Sequence, residues 1–565
     1  MAFRGIVRTL KILFVTPEVE PFVKVGGLAD MVGALPKELA ALGHDVRIVC
    51  PAYGNVKRIG EWRTRAEPLG VDVGRAAHWA RTWETVLPDS AVPVYFLENQ
   101  HFFGAAEVYD SPWGAREDND LRFAFLSRGA LALCQQLGWT PEVVHGHDWP
   151  TGLLPVMLNT TLRDTPLGNA ATVFTIHNLE HQGCSPARVI NFARLPWDDF
   201  HRDQLLIGGA VNLLKTALFH ATKLTTVSPT YAEEIKTPAG GFGLDPVLRF
   251  RGGDLIGIAN GIDDTSWDPA RDRALPANYS AADLAGKAVC KAALQAHFGL
   301  ETDSRVPLFG VVSRLAAQKG LDLLADALPS ILDTMKVQVV LLGSGEAGLE
   351  GAFRWAAHAY RGRFGAHIGF DGRLAWRIQA GCDFFLMPSR AEPCGLTQMY
   401  AMRYGTLPVV RATGGLVDTV ENFVEGQGRG TGFVFRDATA TALRNTVGWA
   451  CATYYAPSVF RDSCCCPSCW RAGPRGWPPP TGSRCWAIPR SARPRRPPRR
   501  RLATSSSAAW CRRRASISSI STIPRPRPRS GSRSTARFRA SRCSPTTPPS
   551  TRCRSRRPDA RSPCP

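Results

Sequence analysis

Short apolar runs that end in polar loops recur along the first 460 residues, and they alternate with segments of helical periodicity. Apolar runs of about four to eight residues predict buried strands, and their alternation with helices is typical of an α/β fold. In open parallel sheets, ligands bind beyond the carboxyl ends of the strands. The strands predicted beside the candidate sites are KILFVTPE (11–18), EVVH (142–145), ATVFTI (171–176), VPLFGVV (306–312) and DFFLM (383–387).

The segment 25–43 combines a glycine pair with a helical pattern. Gly26 and Gly27 follow the first predicted strand, and Gly43 stands where a C-terminal helix cap is expected. A loop of this kind brings backbone N–H groups towards a phosphate or a sugar, although a glycine turn beside a helix also serves as a packing device. The apolar residues at helical spacing are Leu28, Val32, Leu35, Leu39 and Leu42.

Two loops in the second half of the chain carry complementary charges. Arg314 and Lys319 follow one predicted strand, and two cations suit a diphosphate. Glu392 follows another predicted strand, and Gly395 and Thr397 come after it where the backbone can approach a ligand closely. Because both loops lead into helices, whose N-termini favour anions, the pair predicts a nucleotide-sugar site.

Charge is distributed unevenly along the chain. The whole chain has a net charge of +21, but residues 461–565 hold 26 Arg, two Asp and neither Lys nor Glu, a net charge of +24. Residues 1–460 therefore have a net charge of −3. The tail also holds 18 of the 43 prolines and has no apolar periodicity long enough to build a core, so we expect it to be disordered.

Three interpretations of this tail compete. An Arg-rich extension can bind nucleic acid through phosphate contacts. The stretch CCCPSC at 464–469 resembles a metal site, but no second Cys/His pair follows at a zinc-like spacing. The third interpretation is out-of-frame translation of GC-rich DNA, and we favour it because arginine without lysine or glutamate is a codon signature more than a binding surface.

The cysteines before the tail are scattered without paired spacing, which is typical of a reduced cytosolic protein. The apolar stretch ILFV near the N-terminus is too short for the core of a signal peptide, and no run of about 18 apolar residues predicts a membrane span. We therefore expect a cytoplasmic protein. These cysteines are Cys50, Cys134, Cys184, Cys290, Cys382, Cys394 and Cys451.

Eight motifs, taken together and in this order, resemble those of bacterial glycogen synthases and plant starch synthases over roughly residues 11–460. They are KVGGLAD (24–30), HGHDW (145–149), TIHNL (175–179), NGID (260–263), SRLAAQKG (313–320), EPCGLTQ (392–398), YGTLPVVRATGGLVDTV (404–420) and GFVF (432–435).

This resemblance implies a GT-B fold of the α/β class, in which two Rossmann-like doubly wound domains face a central cleft. We expect an N-terminal extension at 1–10, an acceptor-side catalytic domain at 11–255 and a nucleotide-sugar-binding domain at 256–460. The Arg/Pro/Ser-rich disordered tail, which we interpret as frameshifted, then spans 461–565. The family has a terminal helix that crosses back to the first domain, and the sequence after 460 does not resemble it.

The resemblance also implies the catalytic residues. Arg314 and Lys319 would neutralise the departing diphosphate, since fixed cations aimed at developing charge are a large catalytic effect. Glu392 would hold the ribose hydroxyls or stabilise positive charge on the sugar, and a carboxylate favoured at a helix N-terminus is its plain structural role. His177 would contact the glucose, with its carbonyl near the oxocarbenium face. Asp148 would act on the acceptor hydroxyl or orient the sugar, or would simply cap a helix.

Further residues match family positions that contact sugar or nucleotide. Phe370 stands where the family usually has a tyrosine stacked on adenine, and it lacks only the hydroxyl. Tyr400 replaces a second glutamate of related retaining transferases, as in the glycogen synthase branch. The substrate-binding residues implied in this way are Lys24, Gly26, Gly27, Asp30, Asn178, Asn260, Phe370, Cys394, Gly395, Leu396 and Thr397.

The reaction that the resemblance implies is retaining transfer of glucose from ADP-glucose to the non-reducing 4-OH end of an α-1,4-glucan such as glycogen. We expect no cofactor and no metal, because two basic side chains take the role of a cation and no DxD-type motif stands out. Two alternatives remain: another GT-B nucleotide-sugar transferase, or a glucan-binding protein that is inactive through loss of the terminal helix. We expect no membrane partner, and nucleic acid only through the tail.

Overall fold

The computed structural model describes residues 8–456, apart from 112–113, 197 and 199–203. The predicted tail at 461–565 and most of the predicted N-terminal extension therefore lie outside the described residues. Within the described part of the chain, no helix is long and apolar enough to cross a membrane.

A mixed sheet forms the centre of the first half. The strands from the Leu255 edge to Pro93–Glu98 run parallel, and the strands beyond that point run antiparallel. Leu69–Val73 pairs with Ala76–Val86 beside this row. In the described residues, the row runs Leu255–Gly257, Lys223–Thr226, Ala171–Ile176, Val143–His147, Lys11–Val15, Asp45–Pro51, Pro93–Glu98, Ala76–Val86 and Arg63–Thr64.

Helices connect the other parallel strands, as expected for parallel neighbours, whereas the chain between Asp45–Pro51 and Pro93–Glu98 passes through the antiparallel strands. Short strand pairs also form away from the main sheet, between Cys184–Ser185, Ala210–Asn212 and Leu206–Ile207, and between Asp110–Ser111 and Gly114–Ala115. The α-helices described in this half are Gly27–Ala41, Gln100–Phe103, Asn119–Gln136, Leu154–Asn159, Arg188–Phe192, Leu213–His220, Pro229–Glu234 and Asp245–Phe250, with 3₁₀ turns at Trp149–Thr151 and Pro166–Asn169.

A second, fully parallel sheet forms the centre of the other half. Its strands, in spatial order among the described residues, are Phe364–Ile368, Gln338–Gly343, Leu308–Val312, Phe384–Met387, Leu407–Arg411 and Phe433–Phe435. Its helices are Ala285–His297, Leu321–Thr334, Ala347–Ala359, Gly372–Gly381, Thr397–Arg403, Gly415–Thr419 and Ala440–Tyr455, with 3₁₀ turns at Ala317–Lys319 and Glu425–Gln427.

Burial of the central strands explains their nearly continuous apolar sequences. Four of the five residues of Lys11–Val15 are buried, and so are all four residues of Phe384–Met387. Strands covered by helices on both faces need apolar side chains on both faces. In the second half, the Phe309 and Phe384 rings stack across neighbouring strands with centroids 4.8 Å apart. The central strands of each sheet are therefore covered on both faces.

The predicted strands match the observed ones to within a few residues, and Ala171–Ile176 matches at both ends. The predicted helix 25–43 is observed as Gly27–Ala41, and Gly43 has a φ of +93° directly after the last turn. A positive φ suits glycine because it has no Cβ. The polar loops predicted to carry function therefore follow the carboxyl ends of parallel strands.

Candidate active site

The glycine loop between the first strand and the helix Gly27–Ala41 is held by a buried carboxylate. Glu18 is 2 % exposed, and it accepts hydrogen bonds from the N–H groups of Val25 and Gly26, the latter at 2.9 Å. The hydroxyl of Tyr109 donates to the same carboxylate at 2.6 Å. Burial raises the pKa of Glu18, and these hydrogen bonds oppose that rise. Glu18 therefore fixes the backbone of a predicted binding loop.

Lys24, in this loop, forms an ion pair with Asp30, in the first turn of the helix Gly27–Ala41. The Nζ of Lys24 lies 2.6 Å from Oδ1 of Asp30, and the hydroxyl of Tyr400 also hydrogen-bonds to Asp30. Burial raises the pKa of Asp30, and the neighbouring ammonium opposes the shift. Tyr400 in turn stacks on Trp267, with ring centroids 3.6 Å apart. Asp30 thus connects Lys24 to the stacked pair of Tyr400 and Trp267 in the second half.

Asp148 organises the loop that carries His177 and Asn178. Its Oδ1 accepts hydrogen bonds from the backbone N–H of His177 at 2.7 Å and of Asn178 at 3.4 Å. Its side chain does not cap the following 3₁₀ turn, and its φ is +54°, which is strained for a residue with a Cβ. Burial raises the pKa of Asp148 to about 7. Asp148 is therefore a carboxyl poised to titrate near neutral pH.

The imidazole of His177 contacts a second buried histidine, His147. Nε2 of His177 lies 3.3 Å from Nδ1 of His147, and His147 also stacks on Phe14 with centroids 5.4 Å apart. Burial lowers the pKa of His177 to about 3 and that of His147 well below its ordinary value. Both rings are therefore neutral at physiological pH, and His177 can donate or accept a hydrogen bond without carrying charge.

The two charged loops of the second half, which carry Lys319 and Glu392, pack against each other through backbone contacts. Gly320 has a φ of +67°, and a Cβ there would meet the carbonyl oxygen of Pro388 at 2.0 Å. The backbone N–H of Arg390 donates to Gln318 at 2.8 Å, and the Arg390 guanidinium binds the carboxylate of Asp322. Only glycine allows so close an approach. The loop after Leu308–Val312 therefore packs directly on the loop after Phe384–Met387.

This packing brings Lys319 and Glu392 into contact. The Nζ of Lys319 lies 2.7 Å from Oε2 of Glu392, and the hydroxyl of Ser389 donates to the same oxygen at 3.0 Å. Glu392 is 6 % exposed, whereas Lys319 is only partly buried. A buried carboxylate requires partners of this kind, since an uncompensated charge in the interior is costly.

Two predicted site residues are exposed: Arg314, in the loop that also carries Lys319, and Phe370, which follows the strand Phe364–Ile368. The Arg314 side chain is exposed, and it forms no hydrogen bond or ion pair within the part of the chain that the structure describes. Phe370 is 94 % exposed. A solvated cation and an uncovered ring are both available to a ligand without breaking an existing contact.

The remaining predicted binding residues surround the start of the helix Thr397–Arg403. The backbone of Asn260 hydrogen-bonds the buried thiol of Cys394, whose pKa burial raises to about 12. Gly395 has a φ of +72°, and the Thr397 hydroxyl lies 3.3 Å from the sulfur of Met387.

Two contacts join the predicted acceptor and donor loops. A Cβ on Gly27 would lie 3.3 Å from Cδ1 of Leu396, so the glycine loop faces the donor loop. The amide of Gln318 donates to the carboxylate of Glu180 at 2.5 Å, which links the loop of Lys319 to the loop of His177. The structure thus gathers loops from both sheets around one site.

Sequence reasoning missed several residues of this site, Glu18 and His147 among them. Both stand at or shortly after the carboxyl end of a buried strand: Glu18 ends the stretch KILFVTPE, which was predicted as a strand, and His147 lies inside the motif HGHDW. A polar residue in such a place is the signal that would have found them. In the described residues, no group of three His, Cys, Asp or Glu side chains is arranged to hold a metal ion.

A mixed sheet with a parallel core and a second, fully parallel sheet, with polar loops gathered between them, form the architecture of the GT-B class of glycosyltransferases. The starch synthase catalytic domain family matches residues 11–250, and the group 1 glycosyl transferase family matches residues 295–452.

Curated relatives match over most of their length. The chain is 48 % identical over 452 residues to glycogen synthase 1 of Geobacter sulfurreducens, covering 79 % of this chain and 89 % of that protein. It is 52 % identical over 435 residues to a glycogen synthase of Anaeromyxobacter sp. (strain Fw109-5), covering 77 % and 90 %. The chain belongs to the glycogen synthase family, which confirms the resemblance seen in its motifs.

A solved structure supports the same assignment. The catalytic domain of starch synthase IV from Arabidopsis thaliana, bound to ADP and acarbose, matches with a TM-score of 0.75 and 34 % identity. The match covers 80 % of this chain and 94 % of that one.

Proposed function

We propose that this chain transfers glucose from ADP-glucose to the non-reducing 4-OH of an α-1,4-glucan with retention of configuration. The observation that carries the proposal is the Lys319–Glu392 pair, which sets a cation beside a buried carboxylate where two parallel strands end. Family membership supports glucosyl transfer, and the ADP and acarbose in the Arabidopsis starch synthase IV structure support an ADP-linked donor.

The donor half of the reaction depends on cations. When the bond between glucose C1 and the β-phosphate oxygen breaks, negative charge collects on the departing ADP. Arg314 and Lys319 would bind that charge. Lys319 is held by Glu392 before the reaction begins, whereas the exposed Arg314 side chain is free to approach the diphosphate. Glu392 holds Lys319 in place. It would also hold the ribose hydroxyls or stabilise the positive charge of the sugar. Phe370 would cover the adenine with its exposed ring.

The acceptor half uses the loops of the first sheet. We infer that the glucan 4-OH attacks C1 on the face that ADP leaves, so that the configuration is retained. The proton of that hydroxyl passes to the departing phosphate oxygen, and the new C1–O4 bond replaces the broken one. His177 and Asn178 would hold the glucose, while Asp148 would orient the sugar or the attacking hydroxyl.

We propose that the reaction needs no metal ion and no cofactor, because Arg314 and Lys319 supply positive charge at the diphosphate. Transfer assayed after dialysis against EDTA should match transfer with added Mg²⁺ or Mn²⁺. A loss of activity that either cation restores would contradict this. We also propose a cytoplasmic location, which the free cysteines of the described residues support.

Donor competition tests the proposed reaction. Full-length protein is incubated with glycogen and either labelled ADP-glucose or labelled UDP-glucose. We expect label in the polymer from ADP-glucose, and incorporation from UDP-glucose alone would contradict the donor assignment. Co-sedimentation with glycogen in the same samples separates an inactive glucan-binding protein from a protein that does not fold.

A further inference from the structure

One short helix, Pro229–Glu234, contacts the loop of His177 in the first half and the segment 413–418 in the second, and we call it the bridging helix. It follows the strand Lys223–Thr226, and the hydroxyl of Ser228 caps it by accepting the N–H of Tyr231 at 2.9 Å. Proline suits the first helical position because a backbone N–H at that position has no acceptor within the helix, so its absence in proline loses no hydrogen bond.

On the first-sheet side, the bridging helix holds the loop of His177. The hydroxyl of Tyr231 accepts the backbone N–H of Leu179 at 3.0 Å, two residues after His177. Tyr231 is 5 % exposed, so this hydrogen bond is shielded from water. A shielded bond of this kind fixes the loop more firmly than an exposed one would.

On the second-sheet side, Asp418 binds the start of the bridging helix. Its Oδ2 accepts the backbone N–H of Thr230 at 3.0 Å and the hydroxyl of Ser228, and its Oδ1 accepts the hydroxyl of Thr230 at 2.7 Å. Both carboxylate oxygens are therefore occupied by donors from the other half. Charge-assisted hydrogen bonds of this type are about twice as strong as neutral ones.

Glu234 makes the second link from the far end of the bridging helix. Its Oε1 accepts the backbone N–H of Gly414 at 2.9 Å and lies 3.4 Å from the hydroxyl of Thr413. Gly415 in turn donates its N–H to the carbonyl of Glu392 at 3.1 Å. The contact therefore passes from the bridging helix, through one loop, to the backbone of a candidate catalytic residue.

The backbones of Gly414 and Glu392 are in close contact. Gly414 has a φ of +44°, and a Cβ there would lie 2.0 Å from the carbonyl oxygen of Glu392. Apolar packing reinforces the same contact, since Cys394 and Met399 join a buried cluster with Tyr231 and other residues of the first half. A displacement of the loop 413–415 must therefore displace Glu392.

We propose that Glu234 and Asp418 are positioning residues that hold the Glu392–Lys319 pair and the His177 loop in one rigid frame. The inference rests on the proposed function, because it assigns these loops to donor and acceptor. Among the described residues, neither carboxylate has a hydrogen bond or ion pair with Lys319, with His177 or with the side chain of Glu392. Their effect on transfer arises because catalysis is sensitive to small displacements of positioned groups.

Kinetics of matched variants form the first part of the test. Glu234→Ala removes the acceptor for Gly414, whereas Glu234→Gln keeps an amide oxygen that can accept the same N–H. We expect kcat to fall on the order of tenfold in Glu234→Ala, with both KM values little changed, and to recover in Glu234→Gln. Glu233→Gln is the control, since the carboxylate of Glu233 is exposed and its ion-pair partner among the described residues is Lys236.

Asp418 offers an independent pair of variants. Asp418→Asn leaves one acceptor oxygen for three donors, and we expect the same fall in kcat. Glu421→Gln removes an exposed carboxylate three residues away and should leave kcat unchanged. Normal kcat in Glu234→Ala and Asp418→Asn, with only a lower melting temperature, would overturn the proposal.

Hydrogen exchange separates this proposal from the proposed reaction, because it needs no turnover. In full-length Glu234→Ala, we expect faster amide exchange at 413–415 and also at 177–180, across the bridging helix. Faster exchange at 413–415 alone would overturn the rigid frame even if transfer falls. If the wild-type protein transfers no glucose from ADP-glucose, the proposed function fails, and the exchange result still decides whether the loops are coupled.

Discussion

Lys319 and Glu392 form an ion pair of 2.7 Å between loops that follow two neighbouring strands of the second sheet. The Glu392 carboxylate is buried and the Lys319 side chain is partly exposed. The buried carboxylate therefore holds the ammonium in place while leaving part of Lys319 accessible to a ligand. A diphosphate beside Lys319 meets a positive charge that is already oriented. Such preorganisation lowers the barrier because no solvent or side chain must reorganise as charge develops.

Removal of either cation should slow transfer strongly. We expect Lys319→Ala and Arg314→Ala each to lower kcat by about 10²–10³-fold, or about 2.7–4 kcal/mol, as for other preorganised charge stabilisers. Initial rates with ADP-glucose and glycogen measure this. Lys336→Ala removes an exposed cation from the same half and serves as the control. Near-normal turnover in both site variants would refute their assigned role.

Asp148 should make stability depend on pH in a defined direction. Its pKa in the folded protein is about 7, above the ordinary value of 3.8, so the folded state binds more protons than the unfolded state between these pH values. Wild-type protein should therefore lose stability relative to Asp148→Asn as pH rises from 5 to 7, by about 1 kcal/mol per pH unit, and the difference should level off above 7.

Urea unfolding of both proteins at several pH values measures the effect of Asp148. Asparagine keeps an oxygen that can accept the N–H groups of His177 and Asn178, so the loop stays anchored in the variant. A stability difference that does not change with pH would contradict a titrating, buried Asp148.

Phe370 should contribute to donor binding. Its ring is 94 % exposed, and an adenine stacked on it would cover apolar surface. We expect Phe370→Ala to raise the KM for ADP-glucose, with kcat little changed. The rise should correspond to a loss of about 1–3 kcal/mol of binding free energy. Phe370→Tyr should behave like wild type. Trp355→Ala, at another exposed aromatic residue, is the control. An unchanged KM in Phe370→Ala would exclude stacking at this position.

Local signals predicted the strands and the loops that follow them. Ala171–Ile176 and Phe384–Met387 were found because strands buried on both faces are apolar throughout. The motifs then gave Lys319 and Glu392, although their contact depends on Gly320, whose positive φ is not visible in a motif.

The links between the halves could not be predicted in the same way. Asp418 and Thr230 lie 188 residues apart, and their hydrogen bonds exist only when the two sheets are packed together. Glu18 was missed because its partners, Gly26 and Tyr109, come together only in the folded site. Contacts that depend on tertiary packing leave no periodic pattern in the sequence.

The interpretation of residues 461–565, which lie outside the described residues, yields a prediction about the gene. If this segment is out of frame, another frame of the same DNA should encode an amphipathic helical segment with Lys, Arg and Glu. We expect it within about 30 codons of Phe460, followed by a stop. Translation of the coding DNA in all three frames checks this. If neither other frame encodes such a helix, the segment is a genuine extension and nucleic-acid binding must be tested.

The structure of the transferred product tests the central claim most directly. Full-length protein is given ADP-[¹³C]glucose and a short α-1,4-glucan, and the product is analysed by NMR and by β-amylase digestion. We predict α-anomeric label attached at O4 of the former non-reducing end, with the label released as maltose by β-amylase. Label in a β linkage, at another hydroxyl, or recovered only as free glucose would contradict retaining transfer to the glucan end.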